Sequence, residues 1–100
     1  MHYLSFELAE SGEQVTSFEA MASTGIAQHA AAMAEVRRVL DWAWSSFPDA
    51  HGPVDDGNAW DHELQLTTEA GGWHVVSLTV TSSAAFAAAF IARFIDPQAE

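Results

Sequence analysis

The chain has 100 residues, with no cysteine and no lysine, and its 14 carboxylates face only three basic side chains, Arg37, Arg38 and Arg93, for a formal net charge of −11. Two adjacent arginines and one distant one cannot line a phosphate backbone or an anionic membrane surface, so nucleic acid and membrane are excluded as partners. The absence of thiols and of lysine removes disulfides, thiolate metal sites, thiol nucleophiles and Schiff-base chemistry.

A chain of this length suits one compact domain, expected over 1–100 with a short tail at 96–100. The 49% apolar content includes much alanine, yet four Trp and six Phe supply bulk for a core. The N-terminus, Met1-His2-Tyr3-Leu4-Ser5, has neither the basic stretch nor the apolar core of a signal peptide. The longest apolar run, Ala84 to Ala92, falls far short of the roughly 20 residues of a membrane span. A cytoplasmic location is therefore expected. Abundant alanine without lysine reads as a GC-rich, bacterial-like coding bias, which carries no functional information.

In chain order, His2, Leu4, Phe6 and Leu8 alternate with Tyr3, Ser5 and Glu7, the period of a half-buried strand. Glu10-Ser11-Gly12-Glu13 reads as a turn, and Val15 to Ala22 as the returning strand of a hairpin. A long helix follows, with Thr24 as its expected cap, Gly25 opening it and Pro48 closing it. On a helical wheel Ile26, Met33, Val36, Leu40, Ala43, Trp44 and Phe47 make one stripe, with Gln28, Glu35, Arg38, Ser45 and Ser46 opposite. His29 falls in the stripe, where a core-edge histidine with one hydrogen-bonded nitrogen is the ordinary expectation.

Residues 48–58 are dense in turn formers and predict the one substantial loop. A second hairpin then alternates Trp60, His62, Leu64 and Leu66 with Asp61, Glu63, Gln65, Thr67 and Glu69, and returns through His74, Val76, Leu78 and Val80. A two-residue Gly71-Gly72 turn would mix the faces. A three-residue loop, Ala70-Gly71-Gly72, sets Leu66 opposite Val76, Leu64 opposite Leu78 and Glu63 opposite Thr79, and puts Gly72 where a bulge needs a left-handed residue. The final helix starts at Ser82 or Ser83 and stops at Asp96-Pro97, with Phe86, Phe90 and Phe94 as one ridge.

This pattern predicts an α+β two-layer sandwich: an antiparallel four-stranded sheet in ββαββα order with two helices on one face. Its expected core is Phe6, Met33, Leu40, Phe47, Leu64, Leu66, Val76, Leu78, Phe86, Phe90 and Phe94.

Chemistry is thin. Between 49 and 63 lie Asp49, His51, Asp55, Asp56, Asn58, Asp61, His62 and Glu63, an oxygen-rich stretch of the kind that can hold a hard cation. Its spacing matches neither an EF-hand nor an HExxH helix, so a solvated turn is preferred and no metal is assigned. Asp55, Asp56, Asp61 and His62 are the residues that would ligate one. No GxSxG context surrounds any serine, Gly71-Gly72 is accounted for by the hairpin, and Asp61 with Glu63 shares a solvated face with nothing to separate the two pKa values. No catalytic residue and no cofactor is expected.

Recognition has more support. Trp42 lies outside the apolar stripe beside Arg38 and Glu35, and Trp73 points to the polar face of the second hairpin; exposed indoles often mark contacts. For Trp42 the alternative is packing beneath the 48–58 loop; for Trp73, covering its own hairpin is preferred. The expectation is a small acidic, non-enzymatic protein-binding module that docks a basic or polar protein partner through Trp42, Arg38, Trp73, Asp55 and Asp56, or forms a homodimer across Trp42. The alternative is a metal- or small-molecule-binding protein that uses the acidic 49–63 loop.

Overall fold

The computed structural model describes residues 3–11 and 15–95. Its elements are β1 (Glu7–Ser11), β2 (Val15–Thr24), α1 (Ile26–Ser46), β3 (Trp60–Glu69), β4 (Trp73–Ser82) and α2 (Ala84–Phe90). A short 3-10 turn (Val54–Asp56) interrupts the long loop, and a π-helical turn (Ile91–Ile95) continues α2. The expected ββαββα sandwich is what forms. The strands make one antiparallel sheet in the order β1-β2-β4-β3, so β2 and β4 are central and β3 is an edge. Both α1 and α2 pack on β2 and β4. No helix among the described residues is long and apolar enough to cross a membrane.

The second hairpin pairs as its sequence requires: Leu64 with Leu78, Leu66 with Val76, Glu63 with Thr79, and Glu69 with Trp73 across a three-residue loop. Gly71 and Gly72 both take left-handed φ, 85° and 80°, which L side chains resist. The first hairpin differs. The strand begins at Glu7, with Tyr3 to Phe6 outside it, and Glu10 and Ser11, expected in the turn, pair with Thr16 and Val15; His2, Gly12 and Glu13 lie outside the described residues. Tyr3 to Phe6 instead run to α1, because the Glu35 carboxylate accepts hydrogen bonds from the Tyr3 N–H at 2.9 Å and the Leu4 N–H at 2.9 Å. Their inward alternation survives: Leu4 is buried and Phe6 meets Phe90 edge-on at 5.1 Å.

Helix α1 is turned from the expected stripe. Its buried face is Ala32, Glu35, Val36, Val39 and Ala43, while Ile26 is 79% and Trp44 47% exposed. Small residues at 32 and 43 let the helix settle closely on the sheet, and that contact outweighs the bulkier side chains beside it. Gly25, not Thr24, is the N-cap, and no side chain caps the helix. Thr24 ends β2 opposite His74, and its position on the inner face buries the hydroxyl, which has no hydrogen-bond partner. Thr24→Val keeps the shape and removes the orphaned group, so it is expected to raise stability by about 1 kcal/mol in chemical denaturation.

The core holds Phe18, Val36, Val39, Trp60, Val76, Leu78, Val80, Phe86 and Phe90. Of the expected core residues, Leu66 is the failure: it is 55% exposed, because the helices pack on β2 and β4 and meet β3 at its Trp60 end. Ser83 caps α2 by accepting from the Phe86 N–H, whereas Ser82 is buried and its hydroxyl donates to the Thr16 carbonyl at 3.3 Å. Asp96 and Pro97, the expected end of that helix, lie outside the described residues.

Candidate functional site

One side of the molecule concentrates what the core leaves unused. β3 spans ten residues and, among the described strands, pairs only with β4; beyond Trp60, whose N–H and carbonyl the preceding loop takes, its other edge presents backbone N–H and C=O groups with no strand beside them. Its side chains alternate. Asp61, Glu63, Gln65, Thr67 and Glu69 lie on the face away from the helices, while His62, Leu64, Leu66 and Thr68 lie on the helix side. The helix-side row is open beyond Leu64. By helical periodicity, Ile26, Met33, Leu40 and Trp44 share one flank of α1, and Trp44 meets Trp60 at the start of β3 at 5.0 Å.

At the start of β3 the long loop is pinned to the strand. The Gly52 N–H donates to the Trp60 carbonyl at 2.9 Å, and the Ala59 and Trp60 N–H groups donate to the Ala50 carbonyl at 3.0 and 3.3 Å. Gly52 has φ 151°, and a Cβ there would meet the Asn58 amide nitrogen at 2.7 Å, so the position demands glycine. Asn58 in turn donates to the Pro53 carbonyl at 3.0 Å. These bonds hold His51 beside β3 as an isolated bridge partner of Trp60.

The result is a cluster of two imidazoles and a carboxylate. His51 Nε2 lies 2.8 Å from His62 Nδ1 and 3.3 Å from Asp61 Oδ1. One ligand atom from each of the three residues falls within 4.8 Å of the other two, and all three residues are half-buried. Asp61 Oδ1 also accepts from the His62 N–H at 2.9 Å, which fixes the carboxylate. Trp44 lies against the His51 ring at 4.6 Å and Trp60 meets it edge-on at 4.5 Å, so aromatic faces wall one side.

Burial holds the His62 imidazole below the ordinary value of 6.5, since it strips water from the charged form; His51 pushes the same way and Asp61 opposes. The unfolded chain therefore binds this proton more readily than the folded one. The stability that His62 contributes is full above about 6.5 and is lost as pH falls below it. The denaturant midpoint is expected to drop from about pH 7 to about pH 5, and the drop to shrink in His62→Gln.

The residues expected from sequence to meet a partner are dispersed. Trp42 is half-buried, with its ring 5.4, 6.0 and 5.3 Å from those of Phe86, Phe90 and Phe94, so it is not the exposed indole its place on the wheel suggested. The turned helix carries it into the α1–α2 seam. Arg38 is exposed on α1, and Trp73, 50% exposed, lies against the Gly71 turn opposite Glu69. Asp55 and Asp56 are exposed in the 3-10 turn, and among the described residues they join no converging set of ligand atoms. Of the metal-ligating candidates, only Asp61 and His62 come together.

His29 stacks on His74 at 4.5 Å, and its buried Nδ1 has no hydrogen-bond partner, contrary to the bonded nitrogen expected. A shallow depression on the open sheet face, lined by Ser5, Glu7, Glu19, Met21, Ser77 and Thr79, brings no third ligand atom to its two carboxylates. No protein-family model, curated protein or solved structure matches the chain.

Proposed function

We propose that the chain is a non-enzymatic docking module that takes a basic polypeptide strand along the free edge of β3. The observation that carries this is the composition of that edge: carboxylates Asp61, Glu63 and Glu69 on one face of a ten-residue edge strand whose outer side no strand covers beyond Trp60, Leu64 and the exposed Leu66 on the other. An added strand gains main-chain hydrogen bonds along the edge and chooses its partner through alternate side chains. Lys or Arg would stand beside Glu63 and Asp61, and apolar residues beside Leu64 and Leu66. β1, the other edge, is only five residues long and offers less.

A second copy of the chain suits this edge poorly. Like charges directly opposite across strands repel, and the net charge of −11 opposes self-association generally while steering a basic partner inward. A reducing, cytoplasmic setting belongs to the same reading, since the chain has no thiol to oxidise.

The test is fluorescence anisotropy with a labelled eight-residue peptide alternating Lys and Val, against a block peptide of the same composition and an alternating Glu and Val peptide. The Lys–Val alternation is expected to bind best, weakening as salt rises and at least about tenfold in Glu63→Lys. Equal binding of the alternating and block peptides, or indifference to Glu63→Lys, overturns the proposal.

A further inference from the structure

The geometry points to a transition-metal site formed by His51, Asp61 and His62, a function separate from strand docking. Two imidazoles and a carboxylate are the donor set of zinc-class divalent ions rather than of calcium or magnesium, which take oxygen ligands in greater number. Donors about 2.0–2.1 Å from a tetrahedral ion stand about 3.3 Å from one another. His51 Nε2 is 2.8 Å from His62 Nδ1 and 3.3 Å from Asp61 Oδ1, so two edges of that tetrahedron are already close to size.

The nitrogen pair sharpens the inference. His51 Nε2 and His62 Nδ1 face each other directly, and a hydrogen bond between them uses one proton and one lone pair. A divalent ion instead takes a lone pair from each ring and is balanced in charge by the adjacent carboxylate. The backbone and aromatic rings position His51 and Asp61. Backbone bonds at Ala50 and Gly52 bracket His51, the His62 N–H holds Asp61, and Trp44 and Trp60 flank the His51 ring. Gly52, whose φ of 151° side-chain-bearing residues rarely adopt, directly follows His51 in the loop that lies against β3.

Three protein donors leave a fourth position for water or an outside ligand. The ion would also tie the 48–58 loop to the first residues of β3. The ligands come from positions 51, 61 and 62, a spacing no common zinc motif shares, because a loop and a strand meet here rather than two turns of one helix.

The test is competition of untagged protein with a chromophoric chelator for Zn²⁺, and visible absorption after adding Co²⁺. Wild type is expected to take one equivalent of Zn²⁺, to give the intense visible bands of tetrahedral Co²⁺, and to ignore Ca²⁺ and Mg²⁺. His51→Ala, His62→Ala and Asp61→Asn should each weaken Zn²⁺ binding at least about tenfold. His29→Ala should bind as wild type does. Should a ligand variant unfold, histidine ring resonances of the wild-type protein decide: Zn²⁺ must shift His51 and His62 and leave His29 and His74 in place. Zn²⁺ no tighter than Ca²⁺, shifts spread over all the histidines, or equal loss in His29→Ala overturns the site.

Discussion

Replacing Phe90 by alanine is expected to cost about 3–5 kcal/mol of stability, the range for deleting a large aromatic from a packed interior. Phe90 is fully buried where both layers meet. Its ring stacks on Phe18 of β2 at 4.2 Å, meets Phe6 edge-on at 5.1 Å, and lies 5.1 Å from Phe94 and 6.0 Å from Trp42. Removing it separates the N-terminal segment, the central sheet, α1 and α2 at once, so little of the cavity can collapse. Leu40, only half-buried at the edge of the core, should lose markedly less on truncation. Urea denaturation of both variants checks the ranking, and equal losses would mean that the core is not centred on the phenylalanine ridge.

Glu35→Ala is expected to cost about 2–5 kcal/mol, although alanine is the better helix former. Glu35 is 8% exposed, and its carboxylate accepts from two backbone N–H groups, those of Tyr3 and Leu4, the second of them buried. Truncation leaves both donors without this acceptor and frees the segment that seats Leu4 and Phe6. Glu35→Gln keeps one acceptor oxygen and should recover about half of the loss. Denaturant midpoints test this, together with amide exchange of Tyr3 and Leu4, which should speed up in the alanine variant and much less in the glutamine one.

The fold was legible where period and turn chemistry agree. The Leu64–Leu78 and Leu66–Val76 pairs follow from face-matching across Ala70-Gly71-Gly72, and the structure keeps that register. The rotation of α1 was hidden, because a wheel weighted by large side chains undervalues Ala32, whose smallness draws the helix onto the sheet. Glu35 reads as a solvated helix residue until its backbone partners 31 and 32 positions away are known. That long-range bond also explains the late start of β1. Trp42 follows from the same rotation.

The candidate site was half legible. Positions 49–63 stood out for their carboxylates and histidines, and His62 carried an inward signal from strand alternation. Which of them converge depends on the backbone bonds of Ala50 and Gly52 to the start of β3, and no local pattern announces a parallel bridge between a loop and a strand. Asp55 and Asp56 looked equivalent to Asp61 in sequence, yet the 3-10 turn leaves them in water. The open flank of β3 was missed for a topological reason: strand order decides which strand the helices leave uncovered, and the hairpin pattern does not specify it.

The most direct test of docking at β3 is a backbone amide map of the chain titrated with the alternating Lys–Val peptide. Shifts concentrated on 60–69, with amides of that strand newly protected from exchange, are the expected result. Shifts centred on β1, or scattered over the acidic surface with no gain in protection, would contradict it.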